Sequence, residues 1–288
     1  MRMMRGFVPV PVGMNLTPGA GRDPGTRRGR NPGGDEGRMG KRGRGAEEGG
    51  RAPSRRRDEE VDTARPELPV DAEASELDRE VRQELLTLPK GLADLVGSHL
   101  VAAGRALDED PRLALAHARF ARSRAGRVAA VREAAGLAAY HAGEWSEALA
   151  ELRAARRLGG GPGRLAVLAD CERALGRPER ALEIARSPEA AQLSTDEAVE
   201  LRMVAAGARR DLGQFDAAVV ALQGPELEVA GPEPWRARLR YAYADNLLAA
   251  GREQDAIRWF LAAAEVDTEE ATDAGERAIE LSQRVDPQ

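Results

Sequence analysis

The chain of 288 residues contains one cysteine, two lysines and ten aromatic side chains, and each scarcity excludes something. Cys171 alone can form no intrachain disulfide and no cysteine zinc cage, and a reducing compartment suits it. Aromatics at 3% are too few for an ordinary β-sandwich, whose strands draw on Phe, Tyr and Trp. No run approaches the roughly 18 consecutive apolar residues of a membrane-spanning helix. Met1-Arg2-Met3-Met4-Arg5 resembles the charged start of an export signal. The apolar stretch behind it, Phe7 to Leu16, is short, broken by Pro9 and Pro11, and followed by no small-residue cleavage site. The expectation is a cytoplasmic protein. Lys41 and Lys90 are the only lysines, so the positive charge is nearly all arginine, a bias read as genome composition rather than a binding code.

What the chain has in quantity is Ala, Leu, Arg and Glu, all strong helix formers. The net charge of −5 conceals two regimes: residues 1–57 carry 14 basic and 5 acidic side chains, a net of +9, leaving −14 on the remainder. That first segment has 14 glycines and no hydrophobic periodicity, so it cannot bury enough apolar area to offset the entropy of ordering it. A disordered tail is expected there, with Gly-Arg steps at Arg28-Gly29-Arg30 and Arg42-Gly43-Arg44-Gly45. A start at Met14 or Met39 would shorten it. Residues 58–74 read as a solvated acidic linker, and the acidic stretch through residue 80 suits loose pairing with the basic tail. From Ser75 to the end the pattern is helical. Ser75 with Asp78 offers a cap and a first-turn acid, and Leu77, Val81, Leu85 and Leu88 recur at helical spacing. Pro89 to Gly91 breaks that helix, and no segment reads as a strand.

Self-similarity decides the fold expected for residues 75–288. A turn residue is followed five positions later by alanine at the start of an apolar stripe: Gly143 to Ala148, Gly176 to Ala181, Gly213 to Ala218 and Gly251 to Ala256. A weaker copy, Glu109-Asp110-Pro111, leads to Ala114, and the gaps between alanines are 34, 33, 37 and 38 residues. Twelve residues before each alanine lie Ala102, Gly136, Ala169, Ala206 and Ala244, all small. Small residues at facing sites let two antiparallel helices approach closely. Four residues after each alanine come Ala118, Leu152, Ala185, Leu222 and Phe260, which fill the next layer.

These positions resemble the tetratricopeptide repeat family. The resemblance covers roughly residues 95–268, about five degenerate copies with a capping helix after Thr272. It implies an all-α, right-handed helical-hairpin solenoid. The family's early aromatic is replaced by Ser98, Arg132, Val167, Arg202 and Arg240, and its closing proline by Gly126, Gly160, Leu193, Ala230 and Thr268. Two second helices stop early, at Ser187-Pro188-Glu189 and Gly224-Pro225-Glu226. An alanine-rich hairpin array of another family is the alternative. The resemblance further implies that first helices line a concave groove, placing Glu133, Leu137, Tyr140, Asp170, Arg173, Met203, Arg210, Arg238, Tyr241 and Asp245 along it.

Chemistry finds little support. His99, His117 and His141 lack the His-x-x-x-His spacing of a metal site, fall on different helices and read as surface or groove residues. Cys171, between Asp170 and Glu172, reads as a buried small hydrophobe whose thiol its acidic neighbours make less reactive. The run Gly159 to Arg164 lacks the strand and the Lys-Ser or Lys-Thr of a phosphate loop and reads as a linker. Trp145, Phe215 and Trp259 read as packing residues. The expectation is a non-catalytic scaffold without cofactor, binding a peptide or partner helix in the groove. The alternative is weak, non-specific RNA association through the arginine-rich tail, in which Phe7 is the one stacking residue.

Overall fold

Repeated turns set the helix boundaries of this chain. The computed structural model describes residues 65–159, 164–229 and 235–285. The basic tail over 1–57, the first part of the acidic linker and most of the glycine run at 160–163 lie outside them. All described residues belong to one of the two units into which the chain divides. Among them are twelve α-helices and no strand: α1 (Arg79–Leu85), α2 (Lys90–Ala106), α3 (Pro111–Ala125), α4 (Ala129–His141), α5 (Trp145–Arg157), α6 (Leu165–Ala174), α7 (Pro178–Ala185), α8 (Thr195–Asp211), α9 (Phe215–Leu222), α10 (Trp235–Ala249), α11 (Glu253–Ala264) and α12 (Ala274–Val285).

Helices α2 with α3, α4 with α5, α6 with α7, α8 with α9 and α10 with α11 pack as hairpins, and each hairpin rests on the next. In four of them the turn is the same object. Gly143, Gly176, Gly213 and Gly251 have φ of +77°, +73°, +71° and +75°, a left-handed conformation that only glycine adopts at little cost. The N–H of the following residue donates to the carbonyl five residues back: Glu144 to Ala139 (2.8 Å), Arg177 to Glu172 (2.9 Å), Gln214 to Arg209 (2.9 Å) and Arg252 to Leu247 (2.9 Å). That bond caps the outgoing helix while the chain reverses. The first hairpin starts its second helix otherwise: the Asp110 side chain accepts from the Leu113 N–H at 3.0 Å, with Pro111 at the first helical position.

The repeat alanines lie where the helices touch. Ala114, Ala148, Ala181, Ala218 and Ala256 are wholly buried, as are Ala169, Ala206 and Ala244 opposite them, with Ala102 nearly so. At Gly136 a Cβ would stand 2.6 Å from Leu152 Cγ and 3.2 Å from its backbone nitrogen, so only hydrogen fits there. Leu152, Leu222 and Phe260 fill the layer one turn on, all buried. Helices α7 and α9 end at Ala185 and Leu222 and pass into 3-10 turns at Pro188–Gln192 and Pro225–Leu227. Helix α12 packs on α11.

Four expectations need correction. Ser75 caps no α-helix: it lies in a 3-10 turn, Ala74–Glu76, closed by Glu73 and Glu76, and Asp78 precedes α1. The acidic linker is not solvated throughout, because Ala72 is buried and Leu68 packs on the same cluster as Val96 and Leu100. Phe215 is 42% exposed, whereas Trp145 and Trp259 do pack on the core. In the third copy the residue four before the small position is Leu165 rather than Val167.

The arginines standing four residues before the small position, Arg132, Arg202 and Arg240, have work of their own. Arg132 Nε donates to the Gly126 carbonyl at 2.7 Å, and Arg240 donates to the carbonyls of Leu227 (3.2 Å) and Ala262 (2.9 Å). Arg202 pairs with Glu226 at 3.1 Å. A guanidinium fork satisfies end-of-helix carbonyls that an aromatic ring would leave bare.

Candidate functional site

The first helices α4, α6, α8, α10 and α12 are joined by a ladder of polar contacts. Tyr140 of α4 donates its hydroxyl to Asp170 of α6 at 2.5 Å. Asp170 also accepts from Arg173, one turn on, at 2.7 Å, and Arg173 reaches Asp211 of α8 at 2.7 Å. Arg210 of α8 pairs with Asp245 of α10. Arg277 of α12 joins Asp245 at 2.8 Å and donates to the Tyr241 hydroxyl at 3.0 Å. A parallel rung pairs Glu200 of α8 with Arg238 of α10, next to Trp235, whose Nε1–H donates to Asp196 at 2.8 Å.

The ladder has a register. Tyr140 and Arg210 stand four residues after the small position of their copies, and Asp170 and Asp245 one residue after that of the next. Arg173 also stands at the four position, but the next copy offers Gly207 where an acid would be. A Cβ at Gly207 would lie 2.7 Å from the Arg173 guanidinium carbon. Arg173 therefore crosses Gly207 and takes Asp211, one turn further along α8.

Of the ten residues expected to line a groove, Leu137, Tyr140, Asp170, Met203, Arg238 and Tyr241 are buried, while Glu133, Arg173, Arg210 and Asp245 are half-buried. Glu133 accepts from Arg164, the residue preceding α6, at 2.9 Å. The space between neighbouring first helices is thus largely filled by the chain's own side chains, and a polar margin is what reaches solvent.

Burial sets the electrostatics. It pushes the Tyr140 phenol far above its usual range, helped by Asp170. Burial, then Asp170 and Glu172, pushes the Cys171 thiol up to about 12, an inert form. The Arg173 guanidinium is held above its ordinary value: burial works against it, and Asp211 and Asp170 prevail. Burial raises the Glu200 carboxyl to about 7 against the pull of Arg238.

The opposite side of the hairpins carries a second set of ion pairs. Arg119 meets Glu147 at 2.5 Å, and Glu151 is held by Arg122 (2.5 Å) and Arg132 (2.7 Å). Glu172 is held by Arg153 (2.6 Å) and Arg177 (2.7 Å) beside a cleft also lined by Arg180, Glu183 and Ile184.

The histidine expectation is overturned for two of the three. His99 of α2 and His117 of α3 are buried, with their Nδ1 atoms 2.9 Å apart. Their positions mirror each other, three residues before Ala102 and three after Ala114, so an antiparallel hairpin must bring them together. His141 lies half-buried, 3.9 Å from Asp108. Among the described residues no three His, Cys, Asp or Glu side chains gather as a metal site would require. No family model matches the chain, and no curated protein matches it.

Proposed function

We propose that the helical unit is a right-handed, tetratricopeptide-like solenoid serving as a non-catalytic protein-binding scaffold in the cytoplasm, with its partner segment lying along the margin of the first-helix face. The observation that carries this reading is the recurrence of one hairpin, closed four times by the same glycine turn and packed each time through the same buried alanine. Repeats that contact only their neighbours present one extended face, and extended faces suit extended or helical partners. The half-buried Glu133, Arg173, Arg210 and Asp245 mark that margin with both signs of charge, which favours a partner of mixed charge over a uniformly basic or acidic one.

Reversing Arg173 or Arg210 would sever internal rungs, so loss of binding in those variants would not separate contact from folding. A photoreactive side chain at exposed Ala249, in the last turn of first helix α10, tests the face directly, with exposed Val220 on second helix α9 as the comparison site. Irradiation of the full chain in native extract, with and without nuclease, should attach the partner through position 249 and not through 220 in both cases. Attachment through 220 alone would overturn the assignment of the face. Capture that needs residues 1–57 and is lost with nuclease would establish the tail-borne nucleic-acid reading instead.

A further inference from the structure

Two imidazoles in contact inside an apolar core are an unusual choice for a hairpin that elsewhere packs through alanine. His99 and His117 are 0% and 1% exposed, and the His99 ring lies 4.2 Å from the Phe120 ring. One Nδ1–H···Nδ1 bond satisfies one nitrogen of each. Nε2 of His99 is buried without a partner. A proton arriving on His99 Nε2 places a cation in a buried position where, among the described residues, no acceptor meets it.

The segment 65–88 straps over this hairpin. Ala72 and Leu77 bury themselves in the α2 cluster, and a Cβ at Gly97 of α2 would be 2.4 Å from the Ala74 Cβ, so the strap lies in direct backbone-level contact. Arg105 of α2 holds Asp71 (3.0 Å) and Glu76 (2.8 Å), and Glu84 accepts from the Ala130 N–H at 2.9 Å, at the start of α4. Ahead of these, the Arg65 guanidinium stands 5.9 Å from the Phe120 ring that stacks on His99.

We propose that the His99–His117 pair is a proton-sensitive latch: neutral, it keeps the first hairpin closed under the strap; protonated, it repels Arg65 and releases residues 65–88 from α2 and α4.

Among the described residues no carboxylate pairs with either imidazole, and the exposed Glu67 and Glu73 of the strap act on neither. On the strap, Arg65 is of the same sign, and Asp71, Glu76 and Glu84 are engaged as described. On α2, Lys90 and Asp94 are exposed. On α3, Arg124 lies 5.2 Å from the Phe120 ring, Arg119 and Arg122 are taken by Glu147 and Glu151, and Arg112 is exposed. On α4, Arg132, Glu133 and His141 face Glu151, Arg164 and Asp108. Burial, then His117, then Arg65 depress His99 from 6.5 to about 4, and burial lowers His117 as well. The closed form therefore binds fewer protons than the open form below 6.5. Its advantage is complete above that pH, falls as pH drops through it, and levels off near 4.

Hydrogen exchange of the full chain at pH 7 and pH 5, corrected for intrinsic rates, tests the latch. Protection of peptides within 65–88 should fall about tenfold or more, given a shift of this size, while α10 and α11 keep theirs. In the double variant His99→Leu/His117→Leu the fall should be less than about twofold. An equal fall in the variant would assign release to the strap's carboxylates and overturn the proposal, as would an unmoved strap in the natural chain. Proton NMR of the imidazoles in the natural chain needs no variant. His99 should stay neutral at pH 6, and its titration at the ordinary midpoint with the strap still protected would overturn the latch.

Discussion

Asp170 and Glu172 sit two residues apart on α6 and are both buried, yet their surroundings differ in kind. Asp170 faces the first helices and is clasped by the buried Tyr140 hydroxyl and by Arg173, whose side chain is 15% exposed. Glu172 faces the second helices and is held by Arg153 and Arg177, 50% and 48% exposed. The two partners of Asp170 lie largely inside the fold. Glu172 is as buried, but its two partners keep about half of their exposure. The worth of an ion pair depends on what each member does when the other is gone, so these two acids answer differently to the same deletion.

The largest effect is expected at Asp170. Alanine there strands the Tyr140 hydroxyl and leaves Arg173 with Asp211 alone, for a loss of about 3 kcal/mol on the scale of broken buried pairs. Urea unfolding followed by circular dichroism would read it. Asp170→Asn keeps one acceptor oxygen where the carboxylate offers two, one to Tyr140 and one to Arg173, so it should recover only part of the loss. An Asp170→Ala variant as stable as the natural chain would mean that the ladder adds nothing to the packing of the alanines.

Glu200 sharpens the comparison because its rung is buried on both sides. Its folded value of about 7 lies above the ordinary 4.5, so the folded chain binds the extra proton. The stability this group contributes is complete below pH 4.5 and is lost as pH rises through 7. Glu200→Gln cannot ionise, so between pH 5 and pH 8 it should gain on the natural chain by an amount on the order of 1–2 kcal/mol. Denaturation midpoints of the two chains across that range should converge or cross toward high pH; parallel curves would contradict the buried rung.

Glu172 comes next. Removing it returns two half-exposed arginines to water, and Glu172→Ala should cost about 1 kcal/mol. Removing the arginines instead leaves a carboxylate buried and bare, so Arg153→Ala with Arg177→Ala should destabilise the chain more than Glu172→Ala does. The reverse order, measured in the same urea titrations, would show that the arginine stems rather than their charges hold this side.

The hairpins were legible because their causes are local. A glycine that must take positive φ and an alanine that must touch a neighbouring backbone leave a mark at fixed spacing, and the sequence carries that mark at Gly143, Gly176, Gly213 and Gly251. The ladder depends on how consecutive hairpins stack, and its members lie 30 to 38 residues apart in a repeat of uneven length. Its register, Tyr140 to Asp170 and Arg210 to Asp245, becomes readable once the small positions are aligned, but the detour of Arg173 around Gly207 follows only from the packed helices. Arg132 and Arg240 were visible as departures from the family pattern, yet their acceptors are backbone carbonyls, which have no letter in a sequence. The His99–His117 contact leaves no mark along a single helix, because the pairing runs across a hairpin, symmetric about Ala102 and Ala114.

The smallest effect belongs to Arg180, which lines the same cleft as Glu172 and has the same type of partner as Arg173. Its pair with Glu183 is made at 2.6 Å between residues one turn apart on α7, with side chains 64% and 60% exposed. Water solvates both ends nearly as well when they part, and ordering two long side chains opposes the attraction. Arg180→Ala should therefore leave the urea midpoint unchanged within error at moderate salt, although the bond is as short as that of Arg153 to Glu172. A measurable shift would mean that the Arg180 charge acts on buried Glu172 across the cleft, and the boundary between committed and hydrated partners would then run outside α7 rather than through it.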